Sequence, residues 1–346
     1  MTGIRRWLFV FLAGTPAFVF ASSDESWRKI EALDAGPQRK PASREETVLL
    51  ARNHFLIQRK ALEEFLKRYP SDPRAPRARL KLAEISATEA MMDADSRAVK
   101  EAVASMGAVE ADASADAGVR ADAGFRRASI LMQTAPGGPE AGYRQVVAAA
   151  RQFAANYPSD IRGARLLVEA ATTCDHQPEW KRELLNQAEA STSEPALLSR
   201  IDDDRKRLDL LGKPLEMQMP SLKGDPLDVE TFRGRPLILV FWSSESPQSL
   251  LRLRDLRAAW PDLEKAGVAV ATVNLDENLS EAKARADVID APWPTGHEEG
   301  GWMSPTARKL GINALPTVMV LDPRGLVISI NARGNAETLA MSLAGE

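Results

Sequence analysis

The chain predicts a two-part α plus α/β protein: an all-helical, repeat-like N-terminal domain over residues 45–211 and an α/β/α sandwich with a mixed central sheet over 212–346. Three observations carry this. The first part is rich in Ala, Leu and Arg and poor in β-branched runs, a composition that suits helices. It also repeats a phrase, Phe65-Leu66-Lys67-Arg68-Tyr69-Pro70-Ser71-Asp72 and Phe153-Ala154-Ala155-Asn156-Tyr157-Pro158-Ser159-Asp160. The second part carries the apolar run Leu237–Trp242, as expected for a strand covered on both faces, and then alternates helical and strand patterns.

Bulk properties narrow the function classes. With 45 basic and 48 acidic residues the formal net charge is -3, so no global field favours nucleic acid, and none is expected as a partner. At the N-terminus Arg5 and Arg6 precede an apolar stretch from Trp7 to Phe20, and Val19 and Ala21 fit a small-residue cleavage rule with Ser22 next. This reads as a secretory signal over residues 1–21, hence a periplasmic or otherwise extracytoplasmic protein. The stretch is shorter than the roughly 20 residues of a spanning helix and contains Pro16, so no stable membrane span is expected after cleavage. Residues 22–44 are polar and read as a leader or linker.

In the helical part each repeated phrase places Tyr four positions after Phe, one turn along the same face, and stops at proline. The corner resembles the helical hairpins of tetratricopeptide-type envelope scaffolds, although the separation of about 90 residues is not one such repeat. Asp112, Asp116 and Asp122 lack the glycine and terminal glutamate of a calcium loop and read as solvated helix faces. Pro136-Gly137-Gly138-Pro139 marks a break. Cys174 is the one cysteine, so no internal disulfide is available, and it reads as a buried residue near a helix end.

In the second part, Leu215–Met219 and Leu227–Val229 read as an opening hairpin. Strand Leu237–Trp242 is followed by a helix carrying Leu250, Leu253, Leu256 and Trp260 and closed by Pro261. Then come strand Val268–Leu275, a helix over 280–290, and strands Thr317–Leu321 and Leu326–Ile330 joined by Asp322-Pro323-Arg324-Gly325. A final helix follows Asn335.

This order resembles the thioredoxin fold, and its details resemble the TlpA-like branch of exported thiol-disulfide oxidoreductases, within the AhpC/TSA superfamily. The resemblance covers roughly the last 130 residues. It rests on Gly212-Lys213-Pro214 through Phe232-Arg233-Gly234-Arg235-Pro236, the pair Phe241-Trp242, the segment from Trp293-Pro294 to Leu310-Gly311-Ile312, and Ala314-Leu315-Pro316-Thr317, which is similar to the family's cis-proline loop. Where the family carries Cys-x-x-Cys, this chain has Ser246-Pro247-Gln248-Ser249. Disulfide exchange needs a thiolate nucleophile and a second thiol to close the ring, so the resemblance implies the fold without dithiol cycling.

Ser246 before Pro247 is also a strong helix start, serine as N-cap and proline at the first helical position. A binding cleft remains available there. Unpaired N–H groups at a helix start, and backbone beside a cis-proline, can engage a peptide or an anion. The candidate binding residues are Trp242, Glu245, Ser246, Pro247, Leu315 and Pro316, with Ser246 and Ser249 as degenerate motif positions and no catalytic residue assigned. No cofactor and no metal site is expected, since no phosphate loop or dinucleotide fingerprint occurs and His54 and His176 are isolated in sequence. His297, beside Glu298 and Glu299, reads as solvated loop. Asp276-Glu277 matches an acidic position that tunes the cysteines in the family, and here reads as a remnant or a helix-entry charge. The expected function is a redox-inactive envelope scaffold or a module that binds a protein or peptide client. The alternatives are residual redox chemistry through Cys174 and a serine hydrolase using Ser246.

Overall fold

The computed structural model describes residues 22–37, 39–135, 141–332 and 334–345. The expected signal and the Pro136–Pro139 break lie outside them. The chain divides into two compact units, residues 1–127 and 128–346.

The first unit contains α1 (Ser23–Leu33), α2 (Arg44–Arg68), α3 (Ala75–Met92), α4 (Ser96–Ala111) and most of α5 (Ala117–Gln133). Helix α1 corrects the expectation of a polar leader over 22–44. Ser22 caps it by accepting from the Glu25 N–H, and a narrow stripe, Trp27 and Ile30, is buried with Leu62 and Phe65. Two buried residues in eleven are too few to read as a core helix from composition, yet burying such side chains contributes about 2 kcal/mol each.

The second unit begins with α6 (Ala141–Asn156), α7 (Ile161–Thr173), α8 (Pro178–Ala190) and α9 (Pro195–Leu208). The repeated phrase forms the same corner at both α2–α3 and α6–α7. The rings of Phe65 and Tyr69 lie 5.4 Å apart, and those of Phe153 and Tyr157 5.0 Å apart. Asp72 accepts from the Arg74 N–H at 2.9 Å and from its Nε at 2.8 Å, and Asp160 accepts from the same groups of Arg162 at 3.0 and 2.9 Å. Each guanidinium then lies over the phenylalanine ring, at 5.8 and 5.9 Å. The arginine two positions beyond the aspartate therefore belongs to the repeat, which the sequence reading had ended at aspartate.

Strands β1 (Gln218–Met219) and β2 (Leu227–Asp228) form the small antiparallel hairpin expected there. The main sheet follows, with β3 (Leu237–Trp242), α10 (Pro247–Lys265), β4 (Ala269–Asn274), α11 (Leu279–Ile289), β5 (Thr295–His297), α12 (Pro305–Lys309), β6 (Thr317–Leu321), β7 (Val327–Ser329) and α13 (Ala336–Ala344). Strand order is β5-β4-β3-β6-β7, with β3 parallel to β4 and antiparallel to β6. Helix α10 does not close at Pro261 as expected but runs on to Lys265, because fully buried Leu263 draws the last turn onto the core. Asn335 precedes α13 without a side-chain cap bond. Strand β5 had no counterpart in the sequence reading. Its Gly296 lies under the hairpin, where a Cβ would stand 2.6 Å from the Met219 Sδ.

Helices α8 and α9 join this sheet through buried charge. Lys181, fully buried, donates to Asp175 at 2.5 Å and lies 3.1 Å from Asp204, also fully buried. Asp204 pairs with Arg207, which donates to the Gly311 carbonyl at 2.9 Å and to the Asn313 Oδ1 at 2.6 Å. Asn331 donates to Asp175 at 2.8 Å. Gly311 has φ +65°, and a Cβ there would lie 2.1 Å from the Asp203 carbonyl oxygen; only glycine permits this approach.

Candidate functional site

The candidate site lies where the carboxyl ends of β3, β4 and β5 meet the loop after β3, the position at which α/β sheets commonly hold ligands. The β3–β6 register pairs Phe241 with Thr317, so the next positions bring Trp242 to Pro316. The Leu315–Pro316 bond is cis. The loop 243–249 and the proline loop thus share one end of two neighbouring strands.

Within the loop, Ser246 is the N-cap of α10, its Oγ accepting from the Ser249 N–H at 3.2 Å, and Pro247 takes the first helical position. The capping expectation is met at this level of detail. Ser249 is fully buried and its Oγ has no partner among the described residues. Glu245 and Pro247 are exposed and Leu315 is half-buried. No hydrogen bond reaches the backbone N–H or C=O of Leu315 among the described residues. Trp242, by contrast, is 2% exposed and packs in the core with Leu253 and Trp293 rather than on the surface.

The densest side-chain hydrogen bonding at this end centres on Asp276. Asp276, only 5% exposed, accepts from the Ser243 Oγ at 2.6 Å and the Ser244 N–H at 2.8 Å. Its other oxygen accepts from the Asn274 Nδ2 at 2.9 Å. Burial opposes its ionisation, but the hydrogen bonds from Ser243, Asn274 and Ser244 outweigh that and hold its carboxyl below the usual range. Asp276 is therefore more than a helix-entry charge; it ties the loop after β3 to the end of β4.

His297 also departs from expectation. It is 5% exposed, closes β5, and places its Nδ1 3.1 Å from the Asn274 Oδ1. Since the Asn274 amide nitrogen is committed to Asp276, that oxygen is an acceptor and Nδ1 carries the proton. The Nε2 is buried without a partner among the described residues. Strand register explains the burial, because Asn274 and His297 are paired across β4 and β5. The one available signal was the alternation Thr295-Gly296-His297, too short to identify a strand.

No group of His, Cys, Asp and Glu suited to a metal ion occurs among the described residues. Cys174 follows α7, fully buried, and burial pushes its thiol up, with a hydrogen bond to Thr173 opposing.

Residues 212–330 match the AhpC/TSA family. This segment is an AhpC/TSA-family domain with a thioredoxin-like fold. The chain is similar to a thiol-disulfide oxidoreductase from Bacteroides fragilis, at 26% identity over 37% of this chain and 96% of that one, with a TM-score of 0.33. It is also similar to a secreted thiol-disulfide isomerase from Corynebacterium glutamicum, at 21% identity over 39% and 86% with a TM-score of 0.34. A third similar structure is the thioredoxin domain of a thiol-disulfide oxidoreductase from Bacteroides vulgatus, at 16% identity over 38% and 95% with a TM-score of 0.35. No curated protein matches the chain. The AhpC/TSA segment begins at residue 212, whereas the compact unit that contains it begins at Ala128.

Proposed function

We propose that the AhpC/TSA-family domain has kept the frame of a thiol-disulfide protein and uses it to hold an extended segment of a client protein or peptide, outside the cytoplasm, without redox turnover. The observation that carries this reading is the bond between the Ser246 Oγ and the Ser249 N–H: at the first motif position an oxygen starts a helix, where exchange would need two sulfurs. Cys174 is a poor substitute, since a buried thiol with a raised pKa supplies little thiolate. A hydrolase reading lacks a base at the serine, because among the described residues the Ser246 Oγ hydrogen-bonds only to a backbone N–H and no imidazole is bonded to it.

Client binding is supported by the open backbone of half-buried Leu315 beside exposed Glu245 and Pro247. An extended peptide laid there could pair with that backbone as an added strand. Export is supported by the apolar stretch Trp7–Phe20 behind Arg5 and Arg6. No helix among the described residues is long and apolar enough to cross a membrane.

Two measurements test the reading. Insulin-disulfide reduction by the full chain should not exceed the blank, and catalysis lost in Cys174→Ser would overturn the non-redox assignment. Titration with an unfolded, carboxymethylated protein should give saturable binding that Leu315→Asp weakens by about tenfold, or ~1.4 kcal/mol. Equal binding by parent and variant would remove Leu315 from the interface.

A further inference from the structure

Behind the candidate cleft, between the sheet and helices α10 and α11, lies a cavity of about 90 Å³. Trp242, Trp293, Thr272 and Thr295 line it together with apolar Leu253 and Ile289. Its polar atoms are unbalanced. The indole N–H groups of Trp242 and Trp293, residues 2% and 5% exposed, have no hydrogen-bond partner among the described residues. An indole nitrogen can only donate. Thr272 and Thr295 bond to each other at 2.8 Å, and whichever hydroxyl accepts still has its own proton to give. Two indole N–H groups and one hydroxyl proton are therefore left to give on residues that line one small space.

Buried donors left unmade cost about 1–3 kcal/mol each, and native interiors rarely leave them so. Here both are on residues that line one cavity, which points to a single occupant rather than to scattered defects. Volume sets its size. At about 30 Å³ per water-sized group, the space takes about three such groups, the room of a compact molecule of about three to four non-hydrogen atoms. Charge sets its class. Among the described residues Lys223 is the one basic residue at the lining, and it is committed to Asp287 at 2.6 Å, with both side chains more than half exposed. A bare carboxylate would thus enter without a counter-charge, at a large cost in desolvation. A neutral carbonyl accepts two hydrogen bonds through its lone pairs and adds no charge, while Leu253 and Ile289 suit a methyl group.

We infer that this cavity is a binding site for a small neutral carbonyl compound, held by the indole N–H groups of Trp242 and Trp293 and by the Thr272–Thr295 hydroxyl pair. The site is separate from the client surface and does not depend on it.

Acetamide and acetate test this as probes of equal size and different charge. In the full chain, the indole ¹⁵N–¹H signals of Trp242 and Trp293, assigned with Trp242→Phe and Trp293→Phe, should both shift saturably with acetamide and not with acetate at neutral pH. Ala291→Leu adds bulk to the lining and should abolish the shifts. Thr272→Val keeps the shape and should weaken binding about fivefold, the loss of one hydrogen bond of ~1 kcal/mol. The inference is overturned by any of four results: no saturable shift with acetamide, equal shifts with acetate, parent-like affinity in whichever of the two variants retains its melting transition, or water cross-relaxation at both indoles that persists in excess acetamide. The parent titration decides by itself should neither variant fold.

Discussion

Replacing Lys181 with methionine isolates the charge network that fastens α8 and α9 to the sheet. The ammonium is fully buried between Asp175 and Asp204, and Asp204 is fully buried as well. Methionine keeps most of the volume but leaves Asp204 with Arg207 as its remaining cation. Breaking a buried pair by removing one partner costs about 3–5 kcal/mol, because the surviving charge stays desolvated. Taking ~4 kcal/mol, and about 3 °C per kcal/mol for a unit of this size, the transition of residues 128–346 should fall by about 12 °C in calorimetry. The double variant Lys181→Met/Asp204→Asn should recover at least ~1 kcal/mol of that loss, since it removes the stranded charge. A Lys181→Met protein within ~1 kcal/mol of the parent, or a double variant weaker than the single, would refute the argument that these charges are held away from water.

Further outcomes follow from the same geometry. Asp276→Ala strands the Ser243 hydroxyl, the Ser244 N–H and the Asn274 amide and should cost about 3 kcal/mol by urea denaturation, whereas Asp276→Asn should retain part of it. Cys174, fully buried and with its thiol pushed up by that burial, should react with a disulfide reagent only at the rate of unfolding; rapid labelling of the native chain would place it at the surface. Asp72 titrates at about 2, chiefly because the Arg74 side chain donates to it. Its folded pKa is depressed, so its stabilisation is complete above the unfolded value of about 3.9 and is lost as pH falls towards 2. Asp72→Asn should remove about 1 kcal/mol at neutral pH, allowing for solvent screening, and should flatten the parent's loss of stability across that window.

Much of the C-terminal architecture was legible because it rests on local pattern. Strand β3 coincides with the apolar run Leu237–Trp242, β6 with Thr317–Leu321, and the Ser246-Pro247 helix start follows from capping chemistry alone. What was hidden depends on partners distant in sequence. Lys181, Asp204 and Arg207 are joined only by tertiary packing, with Asn313 106 residues from Arg207. His297 looked solvated beside two glutamates, yet its ring is fixed by Asn274 across the sheet. The roles of Ser243 and Asp276 were obscured in the same way, being joined only when the ends of β3 and β4 lie side by side. Helix α1 was missed for the opposite reason, since only Trp27 and Ile30 of its eleven residues are buried.

The contact between Gly311 and the Asp203 carbonyl has a bearing on how this protein can be dissected. The AhpC/TSA match begins at residue 212, but van der Waals exclusion does not respect that border: the backbone of α9 fills the space a side chain at 311 would need, five residues ahead of Pro316. A fragment cut at the border would lose the wall against which its proline loop is shaped, and a graft of this domain onto another scaffold would have to carry the last two helices with it.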